Sequence, residues 1–116
     1  MVDAPPPLLA EDAPEELVER VRAMIAGQTP DAIAAAALGM AERPDSVPDL
    51  PAIDVPTLVI TGTADRLIPP DVTAGIAKLV PGAELVRIEG AGHLSNLEAR
   101  EAFDTALDGV VTRIAP

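Results

Sequence analysis

Cysteine, tryptophan and tyrosine are absent from the 116 residues, and there is one phenylalanine and one histidine. Without cysteine the chain has no disulfide, no thiolate nucleophile and no cysteine-based zinc site; a cytoplasmic location is the expectation this permits. With a single phenylalanine and no tryptophan or tyrosine, neither an aromatic cage nor a stacking platform for bases can be built. Basic residues are few, 8 against 19 acidic ones, and the formal net charge is −11. That balance repels phosphate backbones and anionic lipid, so neither nucleic acid nor membrane is an expected partner. No apolar run approaches the ~18 residues that span a bilayer. The opening MVDAPPPLLAEDAPEE also lacks the basic and apolar regions of a signal peptide.

What is present is aliphatic. Hydrophobic residues make up 48% of the chain, enough for a core, and the length allows one domain burying ~65% of its extended-chain surface. Residues 1–13 are proline-rich and acidic and read as an extended lead-in without a partner of its own. Residues 14–43 read as two helices. The first, Pro14–Ala26, starts at an Asp12/Glu15 pair resembling a capping box. It carries Leu17, Val18, Val21, Met24 and Ile25 on one face, and stops at Gly27. The second has Thr29 as N-cap and Pro30 at its first position, and runs to about Arg43 with Ile33, Ala36, Ala37 and Met40 on a shallow apolar side. Met24 and Met40 read as core packing. Such helices make a weak core alone and suit a flap resting on something larger.

Residues 44–56 hold four prolines and read as a linker, with Ser46 as a turn residue inside it. Residues 57–116 alternate strand, helix, strand, helix. Thr57–Thr61 is apolar on both faces, Asp71–Val80 is helical, and Glu84–Ile88 is the next strand, so the pair must be parallel. Ser95 and Glu98 have capping-box spacing, with Ser95 as the expected N-cap. The last helix should bury Ala102, Phe103, Ala106, Leu107, Val110 and Ile114.

Ligands sit beyond the carboxyl ends of strands in α/β sheets. Each strand here is followed by a glycine turn that carries one chemically able residue: Gly62-Thr-Ala-Asp65 after the first and Gly90-Ala-Gly-His93 after the second. Asp65 alone reads as a turn aspartate capping the loop before Pro69-Pro70, and a lone histidine is more often structural. Together they are an acid able to orient an imidazole and an imidazole able to take a proton. The glycines suit turns with unusual dihedrals and close backbone approach.

These stretches carry a family resemblance. VPTLVITGTADRLIPP followed by PGAELVRIEGAGHLSNLEAREAF resembles the carboxyl-terminal segment of an α/β-hydrolase, with Asp65 at the position of the triad acid and His93 at that of the general base. AAALGMAERPDSVPDLPAIDVP is similar to the cap-to-core junction of members resembling 3-oxoadipate enol-lactonases and small esterases, so residues 14–43 correspond to cap-type helices. The likeness runs from about Thr29 to the end. It implies part of a parallel α/β-hydrolase sheet, a small ester or lactone as substrate, and no metal or organic cofactor. The family's nucleophile sits in a Gly-x-Ser-x-Gly turn. Neither serine here, Ser46 or Ser95, has that setting. The expectation is therefore the last two-fifths of such an enzyme, with the serine supplied by a missing amino-terminal half. The alternative is a non-catalytic remnant that self-associates through its exposed strand edges.

Overall fold

Strands β1 (Leu58–Gly62) and β2 (Glu84–Ile88) form the centre of the structure, a computed structural model that describes residues 7–116. They run parallel, with Leu58 opposite Glu84 and Gly62 opposite Ile88. Helix α3 (Pro70–Leu79) makes the crossover between them and packs on β1. A parallel pair needs such a crossover, and placing both strand ends at one rim is its functional consequence. Pro70 opens α3 at a position whose N–H would have no partner. Gly82, at a φ of 72°, turns the chain back toward β2.

The amino-terminal elements are helices α1 (Glu15–Ala26) and α2 (Pro30–Glu42). Asp12 does not cap α1: the N-cap is Pro14, no side chain bonds there, and Asp12 lies two residues too early. Thr29 does cap α2, its hydroxyl accepting the Ala32 N–H at 3.1 Å. Thr29→Ala should cost about 1 kcal/mol through that lost bond, visible as a lower urea midpoint with an unchanged denaturant slope.

The proline stretch is more ordered than a plain linker. Val47–Ala52 forms a 3₁₀ segment that packs on α3. Its bonds run from Asp49 N–H to the Ser46 carbonyl and from Ile53 N–H to the Leu50 carbonyl, so the prolines are never asked to donate.

The last third also departs from its sequence pattern. Ser95 is not an N-cap. It is the buried first residue of a short helix α4 (Ser95–Glu98), and Leu94 holds the capping position. Ala99, at φ −139° and ψ 60°, separates α4 from α5 (Arg100–Ile114). Of the six residues expected to be buried on this helix only Val110 is; Phe103 and Ala106 are half-buried, and Ala102, Leu107 and Ile114 are exposed. Two strands at ~4.8 Å spacing are too narrow to cover the apolar stripe of a helix, so the stripe overhangs. Arg113 reaches back from α5 to the Glu84 carboxylate, its second contact at 2.6 Å, and fixes where the helix lies.

Helices α1 and α2 are barer still. Val21 is the buried residue of α1, α2 buries none, and Met24 and Met40 are 54% and 64% exposed rather than packed in a core. The radius of gyration is 16.1 Å, against about 13 Å for a compact globule of this length.

Candidate active site

The two glycine turns lie side by side because their strands are direct neighbours. Hydrogen bonds stitch them together: Thr63 N–H to the Ile88 carbonyl at 3.0 Å, Ala64 N–H to the Ala91 carbonyl at 2.9 Å, and Gly90 N–H to the Thr63 hydroxyl at 2.8 Å. The approach is so close that a Cβ on Gly62 would stand 2.1 Å from the Ala91 oxygen. Gly90 takes a φ of 77°, which turns the second loop back over the first.

Asp65 uses its two oxygens for different jobs. Oδ1 accepts the N–H groups of Leu67 and Ile68, each at 2.9 Å, which shapes the turn before Pro69. Oδ2 lies 3.0 Å from Nδ1 of His93. One carboxylate therefore shapes the turn through Oδ1 and faces the imidazole through Oδ2. Its side chain is 6% exposed, whereas that of His93 is 36% exposed and open to an incoming group.

Burial alone would raise the Asp65 carboxyl. The Ile68 N–H, the His93 ring, the Leu67 N–H and the imidazole charge together outweigh it and hold the group below its ordinary 3.8. Asp65 thus stays ionised across the neutral range. A carboxyl that ionises more readily folded than unfolded stabilises the fold fully above its unfolded pKa, and that share is lost as pH falls through the lower folded value. The gap in urea midpoint between wild type and Asp65→Asn should therefore shrink as pH falls below about 4.

The amino-terminal segment is part of this site, contrary to the reading of it as an unpartnered lead-in. Residues 1–6 lie outside the described residues. From Leu8 onward the chain crosses the histidine turn, with Leu9 and Ala10 buried. The Leu8 carbonyl accepts the N–H groups of His93 and Leu94 at 3.0 and 3.1 Å. The Leu9 carbonyl accepts from Arg66, and the Glu98 carboxylate takes the N–H groups of Ala10 and Gly92. The sequence pattern gives Glu98 only a capping-box role and gives Thr63 and Arg66 none, so all three contacts are findings of the structure. The apolar Leu8-Leu9 pair inside an otherwise polar, proline-rich stretch is the signal that could have led to this contact.

Among the described residues neither serine hydroxyl bonds to His93. Ser46 is exposed at the start of the 3₁₀ segment, and Ser95 is buried in α4. Among the same residues no three His, Cys, Asp or Glu side chains gather as a metal site, and no helix is long and apolar enough to cross a membrane. A cleft of about 500 Å³ opens beside the acid turn, lined by Glu11, Asp12, Thr63, Ala64, Asp65 and Arg66. A second, of about 410 Å³, lies where Met40 of α2, the 3₁₀ segment and Ile76 of α3 meet.

Comparison with known proteins shows what the whole chain is similar to. The model of the alpha/beta hydrolase family matches residues 2–106, so the likeness extends well upstream of Thr29. In sequence, 106 residues are 40% identical to polyketide synthase ThaQ of Burkholderia thailandensis, which is 90% of this chain and 5% of that protein. A stretch of 75 residues is 39% identical to a pimeloyl-(acyl-carrier protein) methyl ester esterase of Neisseria meningitidis serogroup B, covering 65% of this chain and 29% of the esterase. In three dimensions 96% of the chain superposes on a thermophilic esterase from Thermogutta terrifontis with a TM-score of 0.91 and 38% identity, covering 42% of that chain. The chain therefore spans less than half the length of each of these relatives.

Proposed function

The chain belongs to the alpha/beta hydrolase family, and from that premise we propose that Asp65 and His93 are the acid and base of an ester-hydrolysing triad whose serine lies outside these 116 residues. The observation that carries the reading is the contact between Asp65 Oδ2 and His93 Nδ1, held at the carboxyl ends of two parallel strands. A carboxylate on Nδ1–H leaves the Nε2 lone pair free as a base. Nε2 takes the proton of the serine hydroxyl as its oxygen attacks the ester carbonyl carbon. The oxyanion collapses, the C–O bond to the alcohol breaks, and the imidazolium returns its proton to the departing oxygen. Water then repeats the sequence on the acyl-serine, with His93 again as base. Asp65 remains a carboxylate throughout, in keeping with its lowered pKa.

The substrate class is a small ester or lactone. The names of relatives, an esterase and a methyl ester esterase, support the ester bond. No metal or organic cofactor enters the steps above.

A second reading concerns the chain by itself. Leu107, Val111 and Ile114 on α5, with Ile33, Leu38 and Met40 on α2, are each 44–64% exposed. Apolar area of this kind favours a partner, either the remainder of a hydrolase or a second copy of this chain. The isolated chain is then without catalysis of its own and self-associates.

The test is a chimera in which the 116 residues replace the segment they match in the Thermogutta terrifontis esterase. Hydrolysis of a short-chain ester by the chimera, with the isolated chain inactive and oligomeric in sedimentation, is the expected result. A folded chimera with no turnover would sink the triad assignment, and a monodisperse monomer of the isolated chain would sink the self-association.

A further inference from the structure

One peptide group joins the two loops of the site. The carbonyl of Leu9 and the N–H of Ala10 belong to the same planar amide and point in opposite directions. Its oxygen accepts from Nε and Nη2 of Arg66 at 3.1 and 2.8 Å, and Arg66 adjoins Asp65 in sequence. Its N–H donates to Oε1 of Glu98 at 2.7 Å, while Oε2 of the same carboxylate accepts the Gly92 N–H at 3.0 Å, next to His93. The negative end of the amide dipole thus faces a guanidinium and the positive end a carboxylate, the arrangement in which charge-assisted bonds are strongest.

We infer that Arg66 and Glu98 are positioning residues, which act through the Leu9–Ala10 peptide to hold the Asp65 turn and the His93 turn at hydrogen-bonding distance. The circuit closes on itself: Asp65 to Arg66, across the amide to Glu98, on to Gly92 and His93, and back to Asp65 through the imidazole. Gly92 shows how little slack it has. A Cβ there would meet the Ala10 nitrogen at 2.4 Å and the Leu9 carbonyl carbon at 2.7 Å. Each charged residue has a double grip, so neither a one-bond surrogate nor a shorter acid reproduces the geometry. The inference rests on the Asp65–His93 pairing and adds the two groups that maintain it.

Because His93 is the only histidine, long-range proton–nitrogen NMR of the labelled chain reads its tautomer without overlap. In alkaline buffer the neutral ring of wild type should be mainly the Nδ1–H form, as a carboxylate on Nδ1 requires. Arg66→Ala and Glu98→Ala should each cut that share by about twofold or more in favour of Nε2–H, measured on the folded population. Arg66→Lys and Glu98→Gln, which keep length but lose one of the two contacts, should fall between, and they decide the matter if the alanine variants unfold. Folded variants with the wild-type tautomer overturn the inference. Asp65→Asn separates the two levels: if it leaves the tautomer unmoved, the Asp65–His93 pairing itself is wrong. If it abolishes the Nδ1–H preference while the Arg66 and Glu98 variants do nothing, only the brace is wrong.

Discussion

His93→Ala in the esterase chimera lowers kcat/KM by on the order of 10⁴-fold or more and leaves the melting temperature almost unchanged. The asymmetry follows from where the ring sits. More than a third of the side chain is exposed and its polar contact is with Asp65, so its removal deletes little packing. Chemically it deletes the group that moves the proton in both half-reactions. Asp65→Asn should cost a similar factor for a different reason. The amide would offer N–H toward Nδ1, favouring the wrong tautomer, while its remaining oxygen could still cap Leu67 and Ile68. Initial-rate kinetics beside thermal melts distinguish the two kinds of loss. A His93→Ala chimera within tenfold of wild type would remove the residue from the mechanism.

Gly92→Ala and Gly62→Ala are expected to be the most destabilising small changes in the chain, each costing about 3 kcal/mol. At Gly62 the new carbon would stand 2.1 Å from the Ala91 oxygen and 2.5 Å from the Gly92 oxygen. At Gly92 it would meet Ala10, Leu9 and the Glu98 carboxylate at 2.4–2.9 Å. The obstructing atoms are mostly backbone, which cannot rotate away as a side-chain tip can. Relief means parting the two turns or expelling the Leu9–Ala10 segment, and either separates Asp65 from His93. Gly39, Gly75 and Gly109 are the controls: they lie in helices α2, α3 and α5 with nothing within 4 Å of the added carbon. Alanine at those positions should stabilise by up to about 1 kcal/mol, through the smaller entropy loss of the unfolded chain. Urea denaturation of the five variants gives opposite signs for the two groups. Equal effects would show that the turns are looser than the distances imply.

Several features could be read from the sequence because local chemistry sets them. The β1–α3–β2 order is carried by apolar runs of strand length around a helical stretch, and the parallel pairing follows because no hairpin can span that interval. Thr29 caps α2 as its type and place require. Asp65 and His93 stood out because each follows a strand by a glycine turn, and the structure brings them to 3.0 Å. Where local patterns failed, a distant partner competed for the same group. Glu98 has capping-box spacing from Ser95, yet its carboxylate goes to Ala10, 88 residues away, and to Gly92. The α5 stripe has the right period for burial, but among the described residues just two strands lie beneath it.

Composition and spacing alone thus determined the lack of any thiol, the parallel strand–helix–strand unit, and the place of Asp65 and His93 at the same rim of the sheet. Tertiary structure decided how those two residues are held. Oδ1 and Oδ2 of Asp65 divide turn-capping from imidazole contact, and one amide from a segment that looked unattached ties their loops together through Arg66 and Glu98. The reason is physical. Hydrophobic period and turn type are short-range properties of neighbouring residues, whereas a hydrogen bond between Ala10 and Glu98 exists only once the whole chain has brought them together.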